Sequence, residues 1–212
     1  MTKNIIWDVD GTLFDTRPAV TYAFSKALNQ LGFSVALNVI DSLVRQSLDQ
    51  CVDVLSQRLR LDPDSLRQKF NESYETVALA NQPPFPGVSE VCQLIQHSGR
   101  RNVIVTDRSI SFTQKLLAVH QLAGLFDSIL STAQGYPQKP DPTIVLEALE
   151  KYELNPATTL LIGSRSIDIQ AGRSAGVWTC LFGNAEQSSA PDLRVETYSE
   201  LLQLLRRGMD SS

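Results

Sequence analysis

Residues 4–16 read NIIWDVDGTLFDT. The apolar run at 4–8 has the β-branched and aromatic character of a strand covered on both faces. Side chains two apart on extended backbone point the same way, so Asp8 and Asp10 can project together beyond the strand's carboxyl end. Gly11 permits a sharp exit. Two hard carboxylates this close invite a divalent cation of the magnesium type.

Working outward, four more short apolar runs recur at 102–106 (NVIVT), 128–131 (SILS), 159–163 (TLLIG) and 178–182 (WTCLF). Helical patterns near 88–98, 111–121, 142–152, 167–175 and 199–207 lie between or after them. This alternation predicts an α/β fold with a doubly wound, mostly parallel sheet of five strands. One interval breaks the rhythm, because more than ninety residues separate the first run from the second, far beyond the needs of one crossover helix. Residues 17–81 hold a single glycine, Gly32, and three apolar stripes at helical spacing. The first stripe runs from Ala19 to Leu31, the second from Ile40 to Leu59, and the third from Leu66 to Val77 behind an Asp62-Pro63 start. They predict an α-helical bundle at 17–81 inserted into a core formed by 1–16 and 82–212, with the Pro-rich run at 83–87 as a stiff connector.

Composition narrows the function classes. The 212 residues are 42% hydrophobic and 20% charged, with a formal charge of −4, as in a folded globular protein. That balance carries no electrostatic footprint for nucleic acid and disfavours an anionic membrane surface. Residues 17–81 carry seven basic and seven acidic side chains, so the whole negative balance belongs to the rest of the chain. No stretch approaches a membrane span of roughly 18 apolar residues, and Asp8 and Asp10 come too early for a secretory signal, which points to the cytoplasm. Cys51, Cys92 and Cys180 are odd in number and widely spaced, and they read as reduced thiols.

The remaining polar candidates fall at the ends of the predicted strands. Thr106, followed by Asp107 and Arg108, closes the second. Lys139 follows the third within KPDP, and Ser164 to Asp168 follow the fourth. Open α/β sheets build their sites at these carboxyl ends. In these residues the chain resembles the haloacid dehalogenase superfamily of phosphatases and phosphomutases over nearly its whole length. DVDGTLFDT is similar to the first family motif, VIVTDRS to the second, QKPDP to the third and LIGSRSIDIQAG to the fourth. FPGV at 85–88 resembles the return from a helical cap to a Rossmann-like core.

The resemblance implies a mechanism. Asp8 would attack phosphorus, Asp10 would serve as general acid and then base, Thr106 would hydrogen-bond a phosphoryl oxygen, and Lys139 would offset negative charge. It also implies a magnesium site drawing on Asp8, Asp10 and Asp168. Here the chain departs from the family, whose fourth motif places an acid directly after its glycine; this sequence has Ser164, a weak ligand for a hard cation. Three explanations stay open: Asp168 compensates, the protein is a degenerate phosphatase kept for another role, or Ser164 is an engineered change. Substrate contacts are expected from Thr106, Asp107, Arg108 and Lys139, and from Arg17 and Arg45 with Gln46 and Ser47 in the cap. His97 and His120, at predicted helix ends, carry no expected catalytic role.

Within the superfamily, Asp10 argues against a dehalogenase, which has no leaving group to protonate. A sugar phosphomutase is disfavoured because Arg17, Pro18, Ala19 and Val20 stand where its histidine is usual. Phosphonate cleavage would need a suitable cap lysine, and only Lys26 and Lys69 are present there. The resulting expectation is a cytoplasmic phosphatase similar to phosphoglycolate phosphatases, acting on a small phosphorylated metabolite as a monomer or homodimer. The competing reading from another class is a catalytically impaired binding or regulatory protein on the same scaffold.

Overall fold

The computed structural model describes residues 4–45, 47–183 and 190–210. They fall into two compact units, Asp15–Pro83 and the remainder, Met1–Phe14 with Pro84–Ser212.

The inserted unit is helical, with α1 (Arg17–Gln30), α2 (Leu37–Val44), α3 (Leu48–Leu59) and α4 (Pro63–Glu75). The second apolar stripe is not one helix. It is divided between α2 and α3, where the Ser47 hydroxyl accepts the Gln50 N–H at 3.0 Å and starts α3 afresh. Asp62 caps α4 in the same way, accepting from Ser65 N–H at 2.9 Å. The apolar faces close on one another: Phe24 stacks on Phe70 at 4.2 Å, and Leu28, Ile40, Cys51, Val52, Leu55 and Leu66 fill in around them.

The other unit is built on β1 (Asn4–Trp7), β2 (Asn102–Thr106), β3 (Ser128–Ser131), β4 (Thr159–Gly163), β5 (Trp178–Phe182) and β6 (Leu193–Val195). All pairings are parallel and the spatial order is β3-β2-β1-β4-β5-β6. Among the described residues the sheet therefore has six strands, not five. Three residues at an edge, with Arg194 exposed between partly and fully buried neighbours, are too short for a periodic signal.

Among the described residues five α-helices accompany the sheet: α5 (Val88–His97), α6 (Ile110–Val119), α7 (Thr143–Lys151), α8 (Ser166–Ser174) and α9 (Tyr198–Asp210). Ile6, Val103, Val105, Leu130 and Leu161 present one face to Ile144, Val145 and Ala148 of α7 and Ala171 of α8. Because neighbours in a strand alternate faces, Trp7 turns to the other side, where it meets Phe126 and Tyr198 of α9. Its indole N–H donates to Asn102 Oδ1 at 3.0 Å. Burial on both faces is why β1, β2 and β4 read as continuous apolar runs. Cys51, Cys92 and Cys180 are free and buried, and among the described residues no helix is long and apolar enough to cross a membrane.

Candidate active site

The strand order doubles back at β1 and β4, and an open sheet leaves a crevice beyond the carboxyl ends of two such strands. Asp8 leaves β1 there, its N–H bonded to Ile162 O of β4 at 3.0 Å. The loop after it is held tightly. Gly11 adopts φ +69°, its N–H bonds Phe14 O, and the Tyr198 hydroxyl donates to Thr12 O at 2.8 Å.

Asp8 is 3% exposed. Its Oδ2 accepts from the Thr12 hydroxyl at 3.2 Å and its Oδ1 from Lys139 Nζ at 2.6 Å. The lysine side chain, 1% exposed, also lies 2.6 Å from Asp168 Oδ1. Lys139 is thus a buried cation wedged between two buried carboxylates, 131 residues from one and 29 from the other in sequence. Burial pushes the Asp8 carboxyl up to about 6, with Asp168 adding to the rise and Lys139 and Arg165 opposing it. For Asp168, burial also favours the neutral form, but Lys139 and Arg165 outweigh it and hold this acid below the ordinary range. Lys139 itself is raised: desolvation pulls it down, and Asp168 and Asp8 prevail.

Asp10 faces Arg108, whose Nε and Nη2 donate to its two oxygens at 2.6 and 2.5 Å. Arg108 is fixed in turn. Its N–H donates to Thr106 Oγ1 at 3.1 Å, its carbonyl accepts from Ser131 Oγ at 2.5 Å, and its guanidinium stacks 4.5 Å from the centre of the Phe112 ring. Thr106 is buried at the end of β2. Asp107 pairs with Arg165 at 3.2 Å.

Arg165 is a site residue that the motifs do not single out. Its Nη2 lies 3.7 Å from Asp8 Oδ1, 3.6 Å from Asp168 Oδ1 and 3.2 Å from Asp107 Oδ2. The available signal was a cation standing in the fourth motif next to the position where an acid was missing. Its backbone N–H donates to Asp168 Oδ2 at 3.0 Å, fixing the first turn of α8. Gly163 makes room for this: a Cβ there would fall 2.2 Å from Asp168 Cβ.

The core unit thus brings together Asp8, Asp10, Thr106, Asp107, Arg108, Lys139, Ser164 and Asp168. Arg17 and Arg45 belong to the helical unit, where both pair with one carboxylate, Asp41, at 3.1 and 2.9 Å. Ser47 is occupied in capping α3, and Gln46 lies outside the described residues.

The donor set does not fit the magnesium site that the resemblance implies. Ser164 is a neutral hydroxyl, and it donates to Asp10 O at 3.2 Å, engaging the carbonyl that would otherwise be a metal ligand. Both Asp168 oxygens are engaged by Lys139 and Arg165, so Asp168 does not replace the missing acid. Two fixed cations already stand beside Asp8, and among the described residues no three acids, histidines or cysteines are grouped to hold a metal.

Comparison with known proteins supplies the family. The haloacid dehalogenase-like hydrolase model matches residues 5–182. Proteins named phosphoglycolate phosphatase from Nitrosospira multiformis and Thiobacillus denitrificans are 34% and 33% identical, each comparison covering 82% of this chain and 80% of the relative. Among solved structures, a predicted phosphoglycolate phosphatase from Haemophilus somnus superposes with a TM-score of 0.81 at 22% identity, covering 96% of this chain and 97% of the other. A hydrolase from Streptococcus pneumoniae gives a TM-score of 0.69 at 26% identity, with 97% and 100% covered. With the four motifs converging on one crevice and the match running from the first strand to the fifth, this chain belongs to the haloacid dehalogenase-like hydrolase family.

Proposed function

We propose that the chain is a phosphomonoester hydrolase acting on a small phosphorylated metabolite in the cytoplasm, with 2-phosphoglycolate among the first substrates to try. The observation that carries this reading is the buried Asp8 carboxylate held 2.6 Å from Lys139 Nζ, with a second carboxylate, Asp10, two residues further on. The names of the relatives support the substrate class.

In the proposed reaction an Asp8 oxygen attacks phosphorus as the bond to the ester oxygen breaks, and Asp10 gives its proton to the departing alkoxide. Water then attacks the phosphorus of the aspartyl-phosphate and passes a proton to Asp10. Inorganic phosphate leaves and the Asp8 carboxylate is restored. Lys139 and the Thr106 hydroxyl stabilise negative charge on the transferring group, and the burial of both side chains increases their effect. Arg108 is positioned to exchange Asp10 for a substrate anion. No step is assigned to a metal ion.

The test is phosphate release from a panel of small phosphomonoesters by the native chain and by Asp8→Asn. Release by the native chain alone is expected. Release from no ester, with and without magnesium, would overturn the reading in favour of a binding protein.

A further inference from the structure

The site holds four carboxylates, Asp8, Asp10, Asp107 and Asp168, and a phosphate dianion entering it needs positive charge close to Asp8. Lys139 supplies one charge but is walled in between two acids. Arg165 differs from it. Its side chain is 40% exposed, its Nη2 reaches three of the four carboxylates, and its buried Nε has no hydrogen-bond acceptor among the described residues. A guanidinium donor left unpaired beside a cluster of acids is costly unless a ligand supplies the acceptor. The planar fork of an arginine matches the oxygens of a phosphate. The residue after Ser164, at the N-cap of α8, is therefore a cation paired with the acids around Asp8.

We propose that Arg165 takes over the charge-neutralising role of a divalent cation, so that this site binds the phosphate dianion without metal. The guanidinium offers Nε and an Nη to two phosphoryl oxygens while remaining over Asp8, which lowers the repulsion between the nucleophile and its target. Lys139 stays behind Asp8, where Asp168 fixes it. Because Ser164 holds the Asp10 carbonyl, and Asp10 and Asp168 are paired with Arg108, Lys139 and Arg165, added magnesium contributes little. The inference rests on the phosphatase reading only in taking a phosphoryl group as the ligand.

The experiment is calorimetric titration of the full chain with inorganic phosphate, in EDTA and in excess magnesium. The native chain should bind phosphate in EDTA, and magnesium should change Kd by less than about threefold, a small share of what a recruited metal ligand contributes. Arg165→Gln should weaken binding in EDTA by at least about tenfold, the scale of a lost charge-assisted pair. Ser164→Asp should make binding magnesium-dependent. Phosphate binding by the native chain that requires magnesium, or Arg165→Gln binding as well as native in EDTA, would overturn the proposal. If Arg165→Gln fails to fold, as read by its thermal melt, the native titration decides alone. Failure to hydrolyse any ester would sink the phosphatase reading and leave these titrations interpretable.

Discussion

Arg108 grips both oxygens of Asp10, 98 residues away in sequence, with bonds of 2.6 and 2.5 Å. A carboxyl that must deliver a proton to a leaving group has to be released from such a fork, and an arriving phosphate is a competing partner for the same donors. Arg108→Ala should therefore raise KM by roughly tenfold and change kcat less than about threefold, as expected for uniform binding. Steady-state kinetics on the best phosphomonoester checks this. A collapse of kcat at unchanged KM would instead make Arg108 a positioning residue for Asp10.

Asp8 sets a pH dependence whose sign follows from its environment. Its carboxyl is near 3.8 in an unfolded chain and about 6 in the fold, raised first by burial. The neutral form is thus favoured by folding: this contribution is fully present below the unfolded value and is lost as pH rises through about 6. Turnover should rise across the same window, because the nucleophile must be ionised. Asp8→Asn should abolish turnover and be more stable than native at alkaline pH, by an amount on the order of 2–3 kcal/mol given ~1.4 kcal/mol per pK unit. Thermal melts of both proteins at acid and alkaline pH should show the gap closing on the acid side.

Lys139 is the most structurally exposed to loss. Removing its ammonium leaves Asp8 and Asp168 buried side by side without their shared cation. Lys139→Met should cost about 3–5 kcal/mol, the scale of breaking a buried ion pair from one side. Urea unfolding measures it. Adding Asp168→Asn to Lys139→Met should recover part of the loss; no recovery would mean that the cost arises from packing.

Gly163→Ala should be severe for steric reasons alone. The new Cβ would meet Asp168 Cβ at 2.2 Å and its Oδ2 at 2.6 Å. Asp168 would have to leave α8's first turn and abandon Arg165 N–H and Lys139. A loss of about 1–3 kcal/mol or more is expected from overpacking, together with loss of phosphate binding. Circular dichroism melts and the phosphate titration check both.

Much of this protein is local and was legible along the chain. Asp8 and Asp10 share a direction because strand side chains repeat every two residues, the inserted helices follow from apolar spacing, and the doubly wound sheet follows from alternation of buried strands with helices. The site's polar members could be named for the same reason: each stands where a short apolar run ends. β6 was lost because three edge residues have no period, and the break at Ser47 because an apolar stripe can continue through a cap. The pairings were decided by tertiary structure. Only the order β3-β2-β1-β4-β5-β6 puts residues 8, 107, 139, 165 and 168 around one crevice. Burial there gives each charge an energy that depends on neighbours distant in sequence. Ser164 could be read as a missing ligand from its position alone. That Arg165 stands beside Asp8 is a matter of how α8 enters the crevice, which is settled by tertiary structure.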